Sequence, residues 1–234
     1  MFDRFSPLLA LLMVATSYAA EIPEDYQLVY EQDFTGDGCL DDFRFTDPNA
    51  WRRGTSKAGD TYMEQFQASK YEYKVRSPHN IALLTKHRVK DFVLDLELQQ
   101  TGKEYGHRDM CVFFGFQDRS HFYYAHIASK TDDHAHNIFV VNDEPRTKIS
   151  SKTTAGHNWT DQWHTVRLTR NSGDGTTEVF VDNLDKPIMS ARDTTFDWGY
   201  VGIGTFDDTG RIRRLKLWAP ESRPGEEGRA IFKE

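Results

Sequence analysis

The feature that most constrains this chain is a two-residue rhythm. In FVLDLELQ, Phe92, Leu94, Leu96 and Leu98 alternate with Asp95, Glu97 and Gln99. In WHTVRLTR, His164, Val166 and Leu168 alternate with Thr165, Arg167 and Thr169. Successive side chains of an extended chain point to opposite faces, so this pattern buries one face and wets the other only as a β-strand. MCVFFGFQD is apolar almost throughout, as expected of a strand near the centre of a sandwich. NSGDG joins WHTVRLTR to TTEVFVDN and reads as a hairpin. SPHN, QDRS, NDEP and DWG supply further turns, and YVGIGTF and RIRRLKLW close the series. There is no long amphipathic helix, no internal repeat and no linker. Many short strands at near-regular spacing predict an all-β chain folded as an antiparallel β-sandwich of the jelly-roll kind.

The ends of the chain differ from this body. After Arg4 comes the apolar run PLLALLMVATSYAA, too short to span a bilayer and closed by the small-x-small triplet Ser17-Tyr18-Ala19. Residues 1–19 therefore read as a signal peptide cut after Ala19 or Ala20, which implies export to the periplasm or the exterior. No later stretch approaches the ~20 apolar residues of a membrane helix, so no membrane partner is expected once the signal is removed. Residues 20–220 suit a single β-sandwich domain. Residues 221–234 are expected to be a polar, loosely held tail. The net charge is -7, with 29 basic residues scattered among 36 acidic ones. A nucleic-acid partner, which needs a basic stripe, is excluded. Cys39 and Cys111 are the two cysteines. Export permits a disulfide between them, while the apolar setting of Cys111 suits a buried free thiol.

The strand order LVYEQDF, FVLDLELQ, DMCVFFGFQD, WHTVRLTRNSGDGTTEVFVDN and GYVGIGTFDDTGRIRRLKLWAP resembles the concanavalin A-like lectin/glucanase jelly rolls. Among them it is most similar to the 3-keto-disaccharide hydrolase domain family of exported bacterial proteins, over most of residues 26–219. The chain departs from that family in carrying Met-Cys where Ser-Gly precedes the VFF strand, and in HAHNIF. The resemblance implies two stacked sheets, one curved into a groove that accepts sugars, and an activity on 3-keto-glycosides.

HFYYAHIASKTDDHAHNIF, from His121 to Phe139, holds four of the nine histidines. Read as two strands about a turn centred on Thr131, it sets His126 opposite His136 and Tyr124 opposite Ile138, with His134 diagonal to His126. Tyr124, His126, His134 and His136 then share one face, and Tyr123, Ala125, Ile127, Ala135 and Phe139 form a core face. Asn137 fits that core poorly, and a one-residue slip inverts every side chain. Three readings follow. His126, His134 and His136 form a Zn²⁺ site; or His126 and His136 act as bases with Tyr124 as acid; or the set hydrogen-bonds and stacks sugars.

Four other groups carry candidate chemistry. His107, Arg108 and Asp109 stand at a strand entrance and Gln117 at its end. Arg108 suits the carboxylate or sulfate of an acidic sugar, or a surface ion pair with Asp109. Asp95, Glu97 and Gln99 sit where retaining glucanases of the resembled superfamily place carboxylates. A retaining enzyme needs two of them about 5 Å apart, and an amide ends the series, so a solvated face is the better reading. DFTGDGCLDDF and TFDDTG offer Asp207 or Asp208 with Asp33 or Asp37 as oxygen ligands for a structural Ca²⁺. Asn158 opens a glycosylation triplet. No phosphate-cradling loop, Cys-x-x-Cys pair or Gly-x-Ser-x-Gly elbow is present. The expected partner is an oligo- or polysaccharide. The expected function is cleavage of a glycosidic linkage, with a lectin-like binding module and a polysaccharide lyase on acidic glycans as alternatives.

Overall fold

A computed structural model describes residues 21–226, 228, 231 and 232; the expected signal peptide over 1–19 lies outside the described residues. In chain order the strands are β1 (Gln27–Gln32), β2 (Phe43–Phe45), β3 (Trp51–Thr55), β4 (Thr61–Gln65), β5 (Asn80–Val89), β6 (Phe92–Gln100), β7 (Asp109–Asp118), β8 (His121–Ala128) and β9 (Asn137–Asn142). They continue with β10 (Thr147–Lys148), β11 (Ser150–Thr153), β12 (His164–Asn171), β13 (Thr176–Val181), β14 (Met189–Arg192), β15 (Gly199–Thr205), β16 (Gly210–Ala219) and β17 (Arg223–Pro224). The larger sheet runs β11-β14-β13-β12-β6-β16-β4-β3, with β1 also on β16. The smaller runs β10-β9-β8-β7-β15-β5-β17, with β2 also on β5. Every pairing is antiparallel. No helix among the described residues is long and apolar enough to cross a membrane.

The alternation seen in the sequence decides what lies between the sheets. Leu94, Leu96 and Leu98 of β6, Val166 and Leu168 of β12, and Ile212, Leu215 and Leu217 of β16 face Met110, Val112 and Phe114 of β7 and Tyr123, Ala125 and Ile127 of β8. Each large apolar side chain, fully withdrawn from water, contributes about 1.5–3 kcal/mol. The wet partners of β6 make an ion-pair ladder. Arg167 clamps Asp95 through two bonds of 2.6 and 2.5 Å, and Arg213 and Arg214 both hold Glu97. This is the solvated face read from the sequence.

β7 is apolar on both faces because the smaller sheet carries a second core on its outer side. Phe113, Phe116, Phe122, Tyr124, Leu83 and Tyr200 pack there, and Ile231 and Phe232 close over them. The described residues of the C-terminal tail are therefore held, contrary to expectation. Arg223 and Pro224 pair with Arg88 and His87, and Phe232 stands edge-on to Phe116. An apolar Ile-Phe pair within a polar tail adds to that pairing. Cys39 lies in the inter-sheet core and Cys111 in the outer one, and both thiols are free.

Two irregularities set the site. Between β7 and β8 the register shifts between Phe114 and Asp118, at Gly115, whose φ of +53° suits glycine. The bulge turns the strand over beyond it: Phe114 lies in the inter-sheet core and Phe116 in the outer one, while the residues before it, Asp109 to Phe114, keep strict alternation. Between β8 and β9, His126 pairs with Asn137 and Tyr124 with Phe139. The expected pairing of His126 with His136 is off by one residue. Asn137 takes the outward position because its amide donates to the carbonyls of Asp132 and Ala135, at 2.8 and 2.9 Å. His136 lies outside the strand with φ +53°.

Candidate functional site

At one end of the smaller sheet, over the outer face of β7 and β8, lies a cavity of about 260 Å³. Its floor is Asp109 and His126. Loops between strands supply the walls: Tyr73, Arg76 and His79 from the approach to β5, Tyr105 and His107 from the approach to β7, and His134, Arg146, Phe206 and Asp207 from the remaining turns. The 206–209 loop is pinned by buried amides. Gln65 donates to the Asp208 carbonyl at 2.5 Å, and Asn80 to Thr205 Oγ1 at 3.0 Å and the Phe206 carbonyl at 2.9 Å.

The floor is unusual in its hydrogen bonding. Asp109 is 1% exposed and His126 3%. Asp109 Oδ2 accepts from the Cys111 thiol at 3.2 Å and from the Phe206 N–H at 3.3 Å. His126 Nε2 stands 3.2 Å from the same oxygen, off line for a hydrogen bond, so both ring nitrogens lack one. Asp109 Oδ1, Tyr124 Oη, and Nε and Nη1 of Arg146 are likewise buried without a partner. Arg146 lies over the rings of Phe206 and Phe139, at 4.8 and 5.6 Å. An unsatisfied buried polar group costs about 1–3 kcal/mol, so such atoms gathered in one place mark a site shaped for a polar ligand.

Burial and neighbouring charge shift the titration of several groups. Burial, then Asp109, pushes the Asp208 carboxyl up to about 7. Asp208 Oδ2 accepts from the Asp109 N–H at 2.8 Å and from Tyr105 Oη at 3.0 Å. Burial, followed by Asp208, raises the Tyr105 phenol. Burial and the adjoining Asp109 raise the Cys111 thiol well above its ordinary range. Burial lowers His79.

The sequence-derived candidates separate. His126, His107 and His134 line the cavity; His107 Nε2 is 2.6 Å from Asp132 Oδ2. Tyr124 is fully buried in the second core, beneath the floor rather than on it, and has no access to a substrate. His136 is buried elsewhere, its Nδ1 accepting from the Ala128 N–H at 3.3 Å and its Nε2 2.9 Å from Thr154 Oγ1. The expected zinc triad of His126, His134 and His136 does not assemble: among the described residues, no group of three close ligand atoms includes His134 or His136. Arg108 is no sugar clamp and no partner of Asp109. Its guanidinium donates to Gln100 Oε1, the Gln100 carbonyl and the Trp159 carbonyl, at 2.6, 3.1 and 3.2 Å, beside a second cavity. Gln117, near the other end of β7, does not line the site. Asp207 and Asp208 approach Asp109, not Asp33. Asp33 closes a turn with Thr35 at 3.0 and 2.7 Å. The oxygens of Asp109, Asp207 and Asp208 suit a hard cation in kind, although two donors already occupy Asp208 Oδ2.

Arg146, Arg76, Tyr73, Tyr105 and Cys111 do not stand out in the sequence as site residues. Turn residues carry no periodicity to flag them. Cys111 was within reach, since it shares a face with Asp109 and a two-residue register shift leaves it opposite His126.

No described protein family matches the sequence of this chain, and no curated protein does. Solved structures match its fold. Carbohydrate-binding module CBM66 from Bacillus subtilis aligns with a TM-score of 0.53 and 13% identity, over 75% of this chain and 94% of that one. A Bacillus subtilis protein of unknown function with a galectin-like fold gives 0.51 and 10%, over 82% and 97%. Peanut lectin gives 0.51 and 10%, over 83% and 96%. With the strand order above, they define the fold as a concanavalin A-like, lectin-type jelly roll.

Proposed function

We propose that this chain is an exported carbohydrate-directed protein whose cavity over β7 and β8 takes one sugar unit. The observation that carries this reading is the gathering of unpartnered donors and acceptors on Asp109, His126 and Arg146 around one polar cavity. Sugar hydroxyls both donate and accept, and so match such a set. Tyr73 and Tyr105 add support. They are two of the three exposed large hydrophobic side chains among the described residues, and both line this cavity. Sugar rings stack on exposed aromatic faces of this kind. The volume is below the roughly 300–1,000 Å³ of drug-sized pockets, which favours a single ring over a longer chain. Arg76 and Arg146 offer partners for a carboxylate on the sugar, and Asp109 and Asp207 offer acceptors for its hydroxyls. The carbohydrate-binding module and the lectin among the structural neighbours support the substrate class.

Calorimetry with neutral, uronic and sulfated saccharides tests the proposal. Arg146→Ala and Tyr105→Ala are expected to weaken binding about tenfold, near 1.4 kcal/mol each. Failure of every saccharide to bind, or variants that bind like the parent, would overturn it.

One observation favours a second reading, glycoside cleavage: an imidazole and a carboxylate lie 3.2 Å apart on the cavity floor. On a 3-keto-glycoside the C3 carbonyl acidifies the C2 proton. The imidazole takes that proton, the electron pair forms the C1–C2 double bond, the C1–O bond breaks, and the departing oxygen takes a proton from the imidazolium or from water. A uronic-acid lyase follows the same logic and yields an unsaturated product that absorbs in the ultraviolet. Incubation with both substrates separates the readings: a lectin binds and releases them unchanged.

A further inference from the structure

We propose that Asp109, Cys111 and His126 form a binding site for one thiophilic divalent cation, Zn²⁺ above all, whose fourth position opens into the cavity. The three residues present a carboxylate oxygen, a sulfur and a ring nitrogen, all within 4.8 Å of one another. Each residue is more than nine-tenths buried. Asp109 Oδ2 lies 3.2 Å from both Cys111 Sγ and His126 Nε2. A tetrahedron built on ordinary Zn–O, Zn–N and Zn–S lengths has edges of about 3.4–3.6 Å, so along these two edges the ligands need to move by only a few tenths of an ångström.

A second observation, independent of the clustering, points the same way. His126 is almost wholly buried, yet neither ring nitrogen has a hydrogen-bond partner, and Asp109 Oδ1 has none either. A cation bound at Nε2 gives the imidazole the partner it lacks. Elsewhere among the described residues, His157, His164 and Asp182 also cluster, but they offer no such opening. There His164 Nδ1 lies 3.3 Å from His157 Nε2 and 2.7 Å from Asp182 Oδ2, and its Nε2 lies 3.0 Å from Thr160 Oγ1.

The topology explains how the ligands meet. Asp109 and Cys111 are alternate residues of β7 and share its outer face. His126 is opposite Cys111 on β8. The donor set, with its thiolate and imidazole, selects Zn²⁺ over Ca²⁺ or Mg²⁺. As the Zn–S bond forms, the Cys111 proton passes to solvent, so binding releases a proton. Asp109 and His126 line the cavity while Cys111 lies beneath, which turns the open position toward it. There it would take water or a sugar hydroxyl. With the cation in place His126 is a ligand and not a free base, so proton abstraction by that imidazole would need the metal-free chain.

The metal site stands or falls separately from the sugar reading, because it is tested with no saccharide present. Full chain, stripped by chelation under reducing conditions, is titrated with Co²⁺ and then with Zn²⁺ in competition. We expect one equivalent, tetrahedral visible bands and a thiolate-to-cobalt charge-transfer band in the near ultraviolet. Cys111→Ser is expected to abolish that last band, and Cys111→Ser and His126→Gln each to weaken Zn²⁺ binding at least about a hundredfold. His157→Gln leaves the titration unchanged. Near-ultraviolet circular dichroism checks that each variant folds. X-ray absorption at the zinc edge of the unmutated chain, expected to show one sulfur neighbour at about 2.3 Å, tests the proposal should the variants misfold. Absence of stoichiometric binding, or a bound cation with oxygen and nitrogen neighbours alone, would overturn it. Oxygen neighbours alone would assign the metal to Asp109, Asp207 and Asp208.

Discussion

The two sheets turn outward faces of opposite character to the solvent. The larger sheet displays charge, and the charge is paired. Asp95 meets Arg167, Glu97 meets Arg213 and Arg214, and Glu64 meets Arg52 and Arg211. Arg213 also lies 4.3 Å over the Trp163 ring and Arg211 4.7 Å over that of Tyr62. The smaller sheet buries its outer face under a second aromatic core, then leaves polar atoms unpartnered at one end of it. A satisfied network of exposed charges stabilises weakly. An unsatisfied one on a buried cavity floor is costly by itself and becomes favourable when a ligand completes it. Charge density alone therefore does not mark the candidate site: the face richer in ions is the one whose charges are already paired.

The sharpest way to break this contrast is to cut into the second core. Phe122 stacks on Phe116 at 4.6 Å and is 1% exposed. Phe122→Ala is expected to cost about 3–5 kcal/mol in urea denaturation. A loss under about 1 kcal/mol would make that face an ordinary surface. Acid is expected to have the next greatest effect. Burial lowers the pKa of His136 to about 4, below the 6.5 of the unfolded chain. Its contribution is intact above pH 6.5 and is lost as pH falls toward 4, by roughly 3 kcal/mol at most. Part-buried His157, also lowered to about 4 by burial and then by His164, acts in the same window. On the ladder, burial would raise Glu64, but Arg211 and Arg52 hold it below its ordinary 4.5, so its loss begins only under that pH. Thermal melts from pH 7 to 3 are expected to decline in two stages, with the first shallower in His136→Gln. An unchanged first stage in that variant counts against the assignment.

Two adjacent tyrosines sharpen the contrast at a smaller scale. Tyr123 Oη bonds Asp193 and accepts the Phe196 N–H, whereas Tyr124 Oη has no partner. Tyr123→Phe is expected to destabilise by about 1–2 kcal/mol, and Tyr124→Phe to be neutral or stabilising by about 1 kcal/mol. Equal losses would show that Tyr124 is satisfied after all. The least effect is expected on the ladder. Arg214, with its side chain 61% exposed, pairs with Glu97 at 2.9 Å. Arg214→Ala is expected to change stability by less than about 0.5 kcal/mol, and by less still in high salt.

Much of the fold was legible because it depends on local rhythm. β6 and β12 place their residues as the alternation requires, and Tyr123, Ala125 and Ile127 form the core face of β8. The site was only partly legible. His126 could be placed on the outer face from β8 alone. His136 could not, because its side depends on a register shared with another strand, and with a period of two a slip of one residue reverses it. Asn137, the residue that fitted the expected pairing worst, marks where the slip occurs. The tail misled because its composition is polar overall, while its docking rests on the pairing of Arg223 and Pro224 with β5 and on the apolar Ile231 and Phe232.

By itself the sequence determined the strand periodicity, and with it a two-layer β-sandwich whose β6 wets one side and buries the other. Only the tertiary structure decided that Asp109, Cys111 and His126 meet, and that Arg146 and the 206–209 loop close around them. Alternation is a property of neighbours along the chain and can be read there. The site joins residues far apart in the chain, among them the 99 positions spanned by the bond from the Asp109 N–H to Asp208, through bulges and loops that no local pattern encodes.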